Sequence, residues 1–282
     1  MDIGITPPLP TYNVDPAFTA RKVEELGFES LWYAEQPIMP VHSTSHFSVT
    51  ADGSIPEVYS HFADPFMLLA RASAVTTTIL LGTGITLVPE RNPLLLAKEV
   101  STLDVFSNGR FLFGIGAGWN REEAEIMGGD FDHRWTQVRE AVLVMKELWA
   151  SEEAEFHGSY YDFPPLRSYP KPVQKPHPPV ILGGLAKNVL KRTVAWGDGW
   201  IPDRVTPEQV RESRATLDTL ATEAGRDPAS ITISAYRQPA DPELVKAFEE
   251  AGADRVIIRP ASVTSEAEMS AELERIAGTL LR

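Results

Sequence analysis

The sequence contains no cysteine. Disulfides, thiolate metal centres and cysteine nucleophiles are excluded together, and a reducing compartment is the natural expectation. Positive charge is scarce as well: 26 Lys and Arg stand against 39 Asp and Glu, a net charge of −13. Nucleic-acid binders need clustered Lys and Arg on the phosphates, and no such cluster occurs, so nucleic acid is not an expected partner. No run approaches the ~18 consecutive apolar residues of a membrane span. The opening Met1–Pro10 lacks the basic start and long apolar stretch of a secretory signal. Together these absences predict a cytoplasmic protein with no membrane partner. What is present is a globular composition, 43% hydrophobic and 23% charged over 282 residues, a length that one α/β barrel can fill.

Short apolar runs alternate with amphipathic segments. The pattern predicts strands at Asp2–Ile5, Glu29–Ala34, Ile79–Val88, Phe111–Gly116, Pro179–Leu182, Gly199–Ile201, Ile231–Ala235 and Arg255–Arg259. Between them it predicts helices at Pro16–Leu26, about Asp64–Thr76, Pro93–Val105, through Val138–Trp149, Lys187–Trp196, Pro207–Ala224, about Pro242–Ala251 and Ser265–Leu281. Start and stop signals support these: Asp15 caps Pro16, Gly27 ends the first helix, and Thr206 caps Pro207. Eight strands, each followed by a helix, predict a parallel sheet closed as a (β/α)8 TIM barrel, a single domain over residues 1–282. An open doubly wound sheet is the alternative. A polar loop is expected over about 36–62. An irregular Pro- and aromatic-rich insertion is expected near 151–178, with Glu155–Phe156 and Tyr160–Tyr161 paired across His157-Gly158-Ser159 as a small hairpin.

In such barrels the chemistry sits where the strands end. This directs attention to Thr6, Glu35, Gln36, Thr83–Thr86, Gly116–Asn120, Gly183, Gly184, Tyr236, Arg237 and Arg259. The run Gly114-Ile115-Gly116-Ala117-Gly118 fails the dinucleotide fingerprint, because Trp119 stands where the third glycine is needed. It marks close backbone approach, to packing or to a ligand. Gly183-Gly184 precedes a helix, where exposed N–H groups favour an anion. Glu35 reads either as a buried acid tuned for proton transfer or as half of an ion pair with an arginine. Trp32, Trp119 and Trp200 fall at or near strand ends, as pocket walls or as packing. Histidines 42, 46, 61, 133, 157 and 177 form no ligand set, so no metal is expected.

Several stretches combine in a familiar order: Glu25–Trp32, Leu81-Gly82-Thr83-Gly84-Ile85, Arg91-Asn92-Pro93, Leu96–Val100, Leu103-Asp104, Ser107–Arg110, Gly114–Asn120 with Glu123, Phe156–Tyr161, Pro178–Gly184 and Asp198-Gly199-Trp200. Their order and spacing resemble the luciferase-like monooxygenase superfamily, and within it the coenzyme F420-dependent oxidoreductases. The resemblance implies a TIM barrel with a deazaflavin, F420, or alternatively FMN across its C-terminal mouth. It implies a bulge at Thr83, Gly84 and Ile85, often with a non-prolyl cis peptide, against the ring. It assigns further cofactor contacts to Ala117, Gly118, Trp119 and Asn120, and the phosphate to Gly183 and Gly184. The implied activity is hydride transfer to or from a small organic substrate. The alternatives are an FMN-dependent monooxygenase and a cofactor-binding barrel whose activity is altered or lost. A homodimer is implied too. The acidic tail of F420 calls for cations along its path, with Arg91, Arg110, Arg121 and Lys187 as candidates. Glu35 and Gln36 are the catalytic candidates. Here the sequence departs from the family, in which the acid after the second strand is usually followed by histidine; glutamine cannot titrate. Either Glu35 or a histidine of the neighbouring loop (His42, His46 or His61) supplies the proton, or the activity is altered.

Overall fold

The computed structural model describes residues 1–47, 50 and 52–281; Ser48, Val49 and Ala51 of the polar loop, and Arg282, lie outside the described residues. The chain begins with β1 (Asp2–Ile5), α1 (Pro16–Glu25), β2 (Ser30–Tyr33), α2 (Pro65–Ser73), β3 (Leu80–Thr83) and its two-residue continuation β4 (Thr86–Leu87). There follow α3 (Pro93–Phe106), β5 (Phe111–Gly116), α4 (Arg121–Ile126) and α5 (Arg134–Ala150). A hairpin of β6 (Ala154–His157) and β7 (Asp162–Leu166) stands outside the barrel. The chain then runs through β8 (Val180–Gly183), α6 (Val189–Trp196), β9 (Gly199–Ile201), α7 (Pro207–Glu223), β10 (Thr232–Gln238), α8 (Pro242–Glu250), β11 (Arg255–Ile258) and α9 (Glu266–Leu280).

The sheet is closed. β1 lies between β2 and β11, and β3 pairs with both β2 and β5, Leu81 opposite Phe111 and Gly82 opposite Leu112. An open doubly wound sheet would leave two free edges at that seam. With β3 and β4 counted as one interrupted strand, eight parallel strands form a (β/α)8 barrel. One local device recurs where strands hand over to helices. Asp15-Pro16, Asp64-Pro65, Asn92-Pro93, Thr206-Pro207 and Asp241-Pro242 each set a capping side chain before a proline at the first helical position. The cap satisfies an orphan N–H and the ring fixes φ, so each turn enters its helix at a defined angle, with ~1 kcal/mol at stake per cap. Thr206 and Gln209 complete a capping box.

Between sheet and helices lies a continuous apolar layer that includes the fully buried Leu31, Leu69, Leu81, Phe111, Phe113 and Met145. Inside the barrel a second cluster joins Trp32, Leu112, Ile181, Ile201, Tyr236 and Ile257. Trp32 is therefore packing rather than pocket wall. Its Nε1 donates to Ser30 Oγ at 2.7 Å, and a Cβ on Gly82 would come within 2.2 Å of its ring.

Two predicted elements differ in detail. The third strand breaks at Gly84–Ile85, so Ile79–Val88 is not continuous. The hairpin pairs Phe156 with Phe163 and His157 with Asp162, so its second strand starts after Tyr161. The backbone N–H groups of Tyr160 and Tyr161 both donate to Glu140 Oε1, at 2.6 and 2.8 Å, which holds those residues in the turn.

Candidate active site

A cavity of about 580 Å3 opens at the C-terminal ends of the barrel strands. Its floor is the interruption between β3 and β4, where the Gly84–Ile85 peptide is cis and non-prolyl. Gly84 N–H donates to Tyr33 C=O at 2.8 Å, and Glu35 N–H to Ile85 C=O at 3.2 Å, so the exit of β2 holds this segment. Gly84 leaves room for Tyr236, since a Cβ there would lie 2.7 Å from that ring; the Tyr236 hydroxyl shares a 2.9 Å hydrogen bond with Thr6 Oγ1. Thr83 sits below the floor, fully buried, donating to Gly114 C=O at 2.7 Å, and does not line the cavity.

The glycines separate into two kinds. At Gly114 a Cβ would meet Thr83 C=O at 1.9 Å, and at Gly116 the Ile85 side chain at 2.2 Å. Gly183 is similarly close to Ile85, at 2.9 Å. All three serve close packing around Thr83 and Ile85, and Gly116 and Gly183 also border the cavity. Gly118 and Gly184 have φ of +78° and +90°, which glycine adopts without penalty, and both line the cavity. A Cβ on Gly184 would find nothing within 4 Å. The Trp200 indole N–H donates to the Gly184 C=O at 2.9 Å and fixes this loop from behind, so Trp200 is a support.

The wall is aromatic. Trp119 lies 5.2 Å from Phe47, Phe47 4.6 Å from Tyr59, and Tyr59 5.7 Å from Phe62, centroid to centroid. The sequence reading did not single out Phe47, Tyr59 or Phe62. Their signal was three aromatic rings inside an otherwise polar loop. His46 also reaches the cavity, whereas His61 bonds Tyr12 instead, at 2.6 Å. Ala117 lines the cavity beside Trp119; Asn120 does not. Asn120 is buried as the cap of α4, accepting from Glu123 N–H at 3.1 Å and donating to Ser43 Oγ at 3.3 Å.

Glu35 and Gln36 both line the cavity. The Glu35 carboxylate accepts from Leu87 N–H at 2.6 Å and from Arg91 through two guanidinium nitrogens, one of them Nε at 2.7 Å. Of the two readings left open for Glu35, this geometry is the ion pair. Burial raises its proton affinity, and Arg91 opposes that. Gln36 donates to Glu123 and to Ile38 C=O at 3.2 Å, and accepts from Trp119 Nε1 at 3.3 Å.

The four cations expected along a cofactor tail are elsewhere. Arg91 is consumed by Glu35, Asp64 and Glu99. Arg110 donates to the carbonyls of Ile79 at 2.6 Å and Thr76 at 2.8 Å, at the opposite end of the barrel. Arg121 pairs with Asp132 and Glu125. Neither these nor Lys187 line the cavity. Four other arginines do: Arg134, Arg204, Arg237 and Arg259. They arrive from the start of α5 and from the ends of β9, β10 and β11, so no local motif announces them. Asp203 pairs with Arg204 at 3.0 Å and with Arg237 through Nε at 2.9 Å. Arg134 stacks over Phe131 at 4.0 Å, and its Nε is buried without a partner.

This arrangement fits a flat anionic cofactor: an apolar floor and wall, an open glycine loop, an orphan guanidinium N–H and a cationic rim. Among the described residues no cluster of His, Asp or Glu suits a metal, and no helix is long and apolar enough to cross a membrane. Fold and site thus define a (β/α)8 barrel with a cofactor-sized pocket at its C-terminal mouth. The luciferase-like monooxygenase family model matches residues 17–243, and the chain belongs to that family. It is 35% identical to the uncharacterized protein Rv0953c of Mycobacterium tuberculosis over 273 residues, 95% of this chain and 94% of that one. It is 26% identical to the F420-dependent hydroxymycolic acid dehydrogenase of Mycobacterium tuberculosis over 217 residues, 75% of this chain and 55% of that protein. The coenzyme F420-dependent tetrahydromethanopterin reductase of Methanopyrus kandleri shares the fold, with a TM-score of 0.75 at 17% identity over 100% of this chain and 99% of that one.

Proposed function

We propose that this chain is an F420-dependent oxidoreductase that transfers a hydride to or from a small, largely apolar organic substrate. The observation that carries the reading is the rim of Arg134, Arg204, Arg237 and Arg259 on a chain of net charge −13. An acidic chain that gathers arginines at one mouth is set up to attract an anion there. FMN shares the ring and the phosphate but lacks the acidic tail, so the rim favours F420 over the flavin alternative. The relative named for F420-dependent dehydrogenation supports the same choice.

When bound, the deazaflavin supplies the hydride acceptor or donor; the protein binds, orients and excludes water. Gly84–Ile85 and Ala117–Trp119 give the ring an apolar bed. The Gly183–Gly184 loop, open on its cavity side, offers backbone N–H groups to a phosphate ahead of α6. Phe47, Tyr59 and Phe62 cover the substrate side, which suits an apolar substrate. Glu35 holds the floor through Leu87 N–H and Arg91. The test is fluorescence titration of the purified protein with F420 and with FMN at fixed salt. Tighter F420 binding is expected; preferential FMN binding would transfer the reading to a flavin monooxygenase, and binding of neither would end the enzyme reading.

A further inference from the structure

Gln36 stands where a titrating histidine is expected, yet the protein surrounds it with acids. Glu123 on α4 is fully buried and accepts hydrogen bonds from the Gln36 amide and from Ile38 N–H at 3.3 Å. Glu90, in the turn after β4, is 4% exposed, and neither of its carboxyl oxygens has a hydrogen-bond partner. It lies directly under the turn that carries Trp119, with Oε1 2.9 Å from where a Cβ on Gly118 would sit.

We infer that Glu123 is the proton-holding group of this site and a positioning residue: its carboxylate fixes the Gln36 amide, and through it Trp119, at the cavity wall. The inference rests on the reading of this cavity as the cofactor pocket only for its catalytic consequence; the geometry stands without it. A carboxylate can only accept hydrogen bonds, so ionised Glu123 requires the NH2 side of Gln36. The amide carbonyl is thereby turned to Trp119 Nε1, as observed at 3.3 Å. A protonated Glu123 offers a donor as well as an acceptor. It no longer dictates the amide's orientation, which then rests on the Ile38 C=O at 3.2 Å alone, and the acceptor presented to Trp119 is held less firmly. The charge-assisted bond also becomes an ordinary neutral one, roughly half as strong.

The surroundings make this change accessible near neutrality. The charged or titratable groups facing Glu123 are Glu35 from the loop after β2 and Glu90 from the turn after β4, while Arg91 of that turn is directed to Glu35. Arg91 spends its bonds on Glu35, Asp64 and Glu99 and gives none to Glu123. Glu122, next on the same helix, turns away to Ser43, Thr44 and Ser45. Burial, opposed by the bonds from Ile38 and Gln36, brings Glu123 up to about 7. Burial and the neighbouring carboxylates carry Glu90 to about 9, so Glu90 stays un-ionised while Glu123 titrates. The proton absent from residue 36 is held one side chain behind it.

The test reads Trp119 directly in the whole protein without cofactor. The six tryptophans are isotope-labelled, and their indole N–H resonances are followed from about pH 5.5 to about 8.5. The Trp119 resonance, identified by its loss in Trp119→Phe, is expected to move with a midpoint near 7. Glu123→Gln should leave it flat. Gln36→Leu, which keeps the acid but removes the connection, should also leave it flat and serves if Glu123→Gln does not fold. Glu90→Gln should preserve the movement. A flat Trp119 signal in the unaltered protein overturns the inference. So does movement that survives Glu123→Gln, or movement lost in Glu90→Gln alone. None of these outcomes depends on F420 binding, so this inference and the cofactor reading fail separately.

Discussion

At the end of the barrel where the strands begin, Arg255 reaches Glu29 through Nε at 2.7 Å and Ser234 at 3.0 Å, and Arg110 is spent on backbone carbonyls. Asp104 takes the Gln174 side chain at 2.6 Å and its backbone N–H at 3.0 Å. At the end where the strands finish, Arg134 Nε and both Glu90 carboxyl oxygens are buried with no partner, and four arginines ring one cavity. The polar groups of the first end are consumed by the fold. At the second, beside pairs such as Glu35–Arg91 and Asp203–Arg237, some are left for a ligand or a proton, the division that barrel enzymes make between stability and chemistry.

That contrast can be broken from either end. The largest effect is expected from Arg255→Ala, which strands Glu29 beside Ser234. Removing one partner of a largely buried pair costs ~3 kcal/mol or more. Urea denaturation should show the loss, while cofactor affinity of the folded protein stays unchanged. Next is Gly184→Glu. The site has open space but φ of +90°, so the fold should survive with a cost of ~1 kcal/mol. Placing a carboxylate at the proposed phosphate position should weaken F420 binding at least about a hundredfold, ~2.7 kcal/mol by titration.

Smaller again, over any single pH unit, is a pH effect. The folded pKa of Glu90, about 9, is raised by burial above its ordinary value. Its contribution to stability is therefore complete below the unfolded carboxyl range of ~4.3 and is lost as pH rises toward 9. Denaturation midpoints measured across that window should fall less steeply in Glu90→Gln, by up to ~1 kcal/mol per pH unit. The smallest effect is expected from Arg259→Ala on the exposed rim. It should weaken F420 binding only a few-fold and flatten its salt dependence, with FMN binding unaffected.

The barrel was legible because its signals are local. Cap-proline pairs such as Asp15-Pro16 and Thr206-Pro207, and the apolar runs between them, lie within a few residues of the elements they define. The position of the site was legible for a similar reason, since Gly84, Gly118, Trp119 and Gly184 sit at strand ends. Its chemistry was less so. The aromatic wall comes from a loop without periodicity. The rim arginines come from four separate strand–helix units, and the cations nearest the motifs, Arg91, Arg110 and Arg121, have structural partners instead. Thr83 and Asn120 were chosen for their place in motifs and are buried beside the cavity rather than in it. The departure at Gln36 was visible in the sequence, but its partner Glu123 lies 87 residues away. Glu90 looks like an ordinary surface-turn residue in Pro89-Glu90-Arg91-Asn92, and only burial distinguishes it.

The most direct test of a mouth reserved for an acidic deazaflavin is the affinity of the purified protein for F420 with its full glutamate tail and for the tail-less precursor, measured by titration at one ionic strength. The rim arginines predict tighter binding of the tailed form and a steeper loss of that advantage with salt. Equal affinity for the two, at low and high salt alike, would contradict the assignment of Arg134, Arg204, Arg237 and Arg259 to the cofactor.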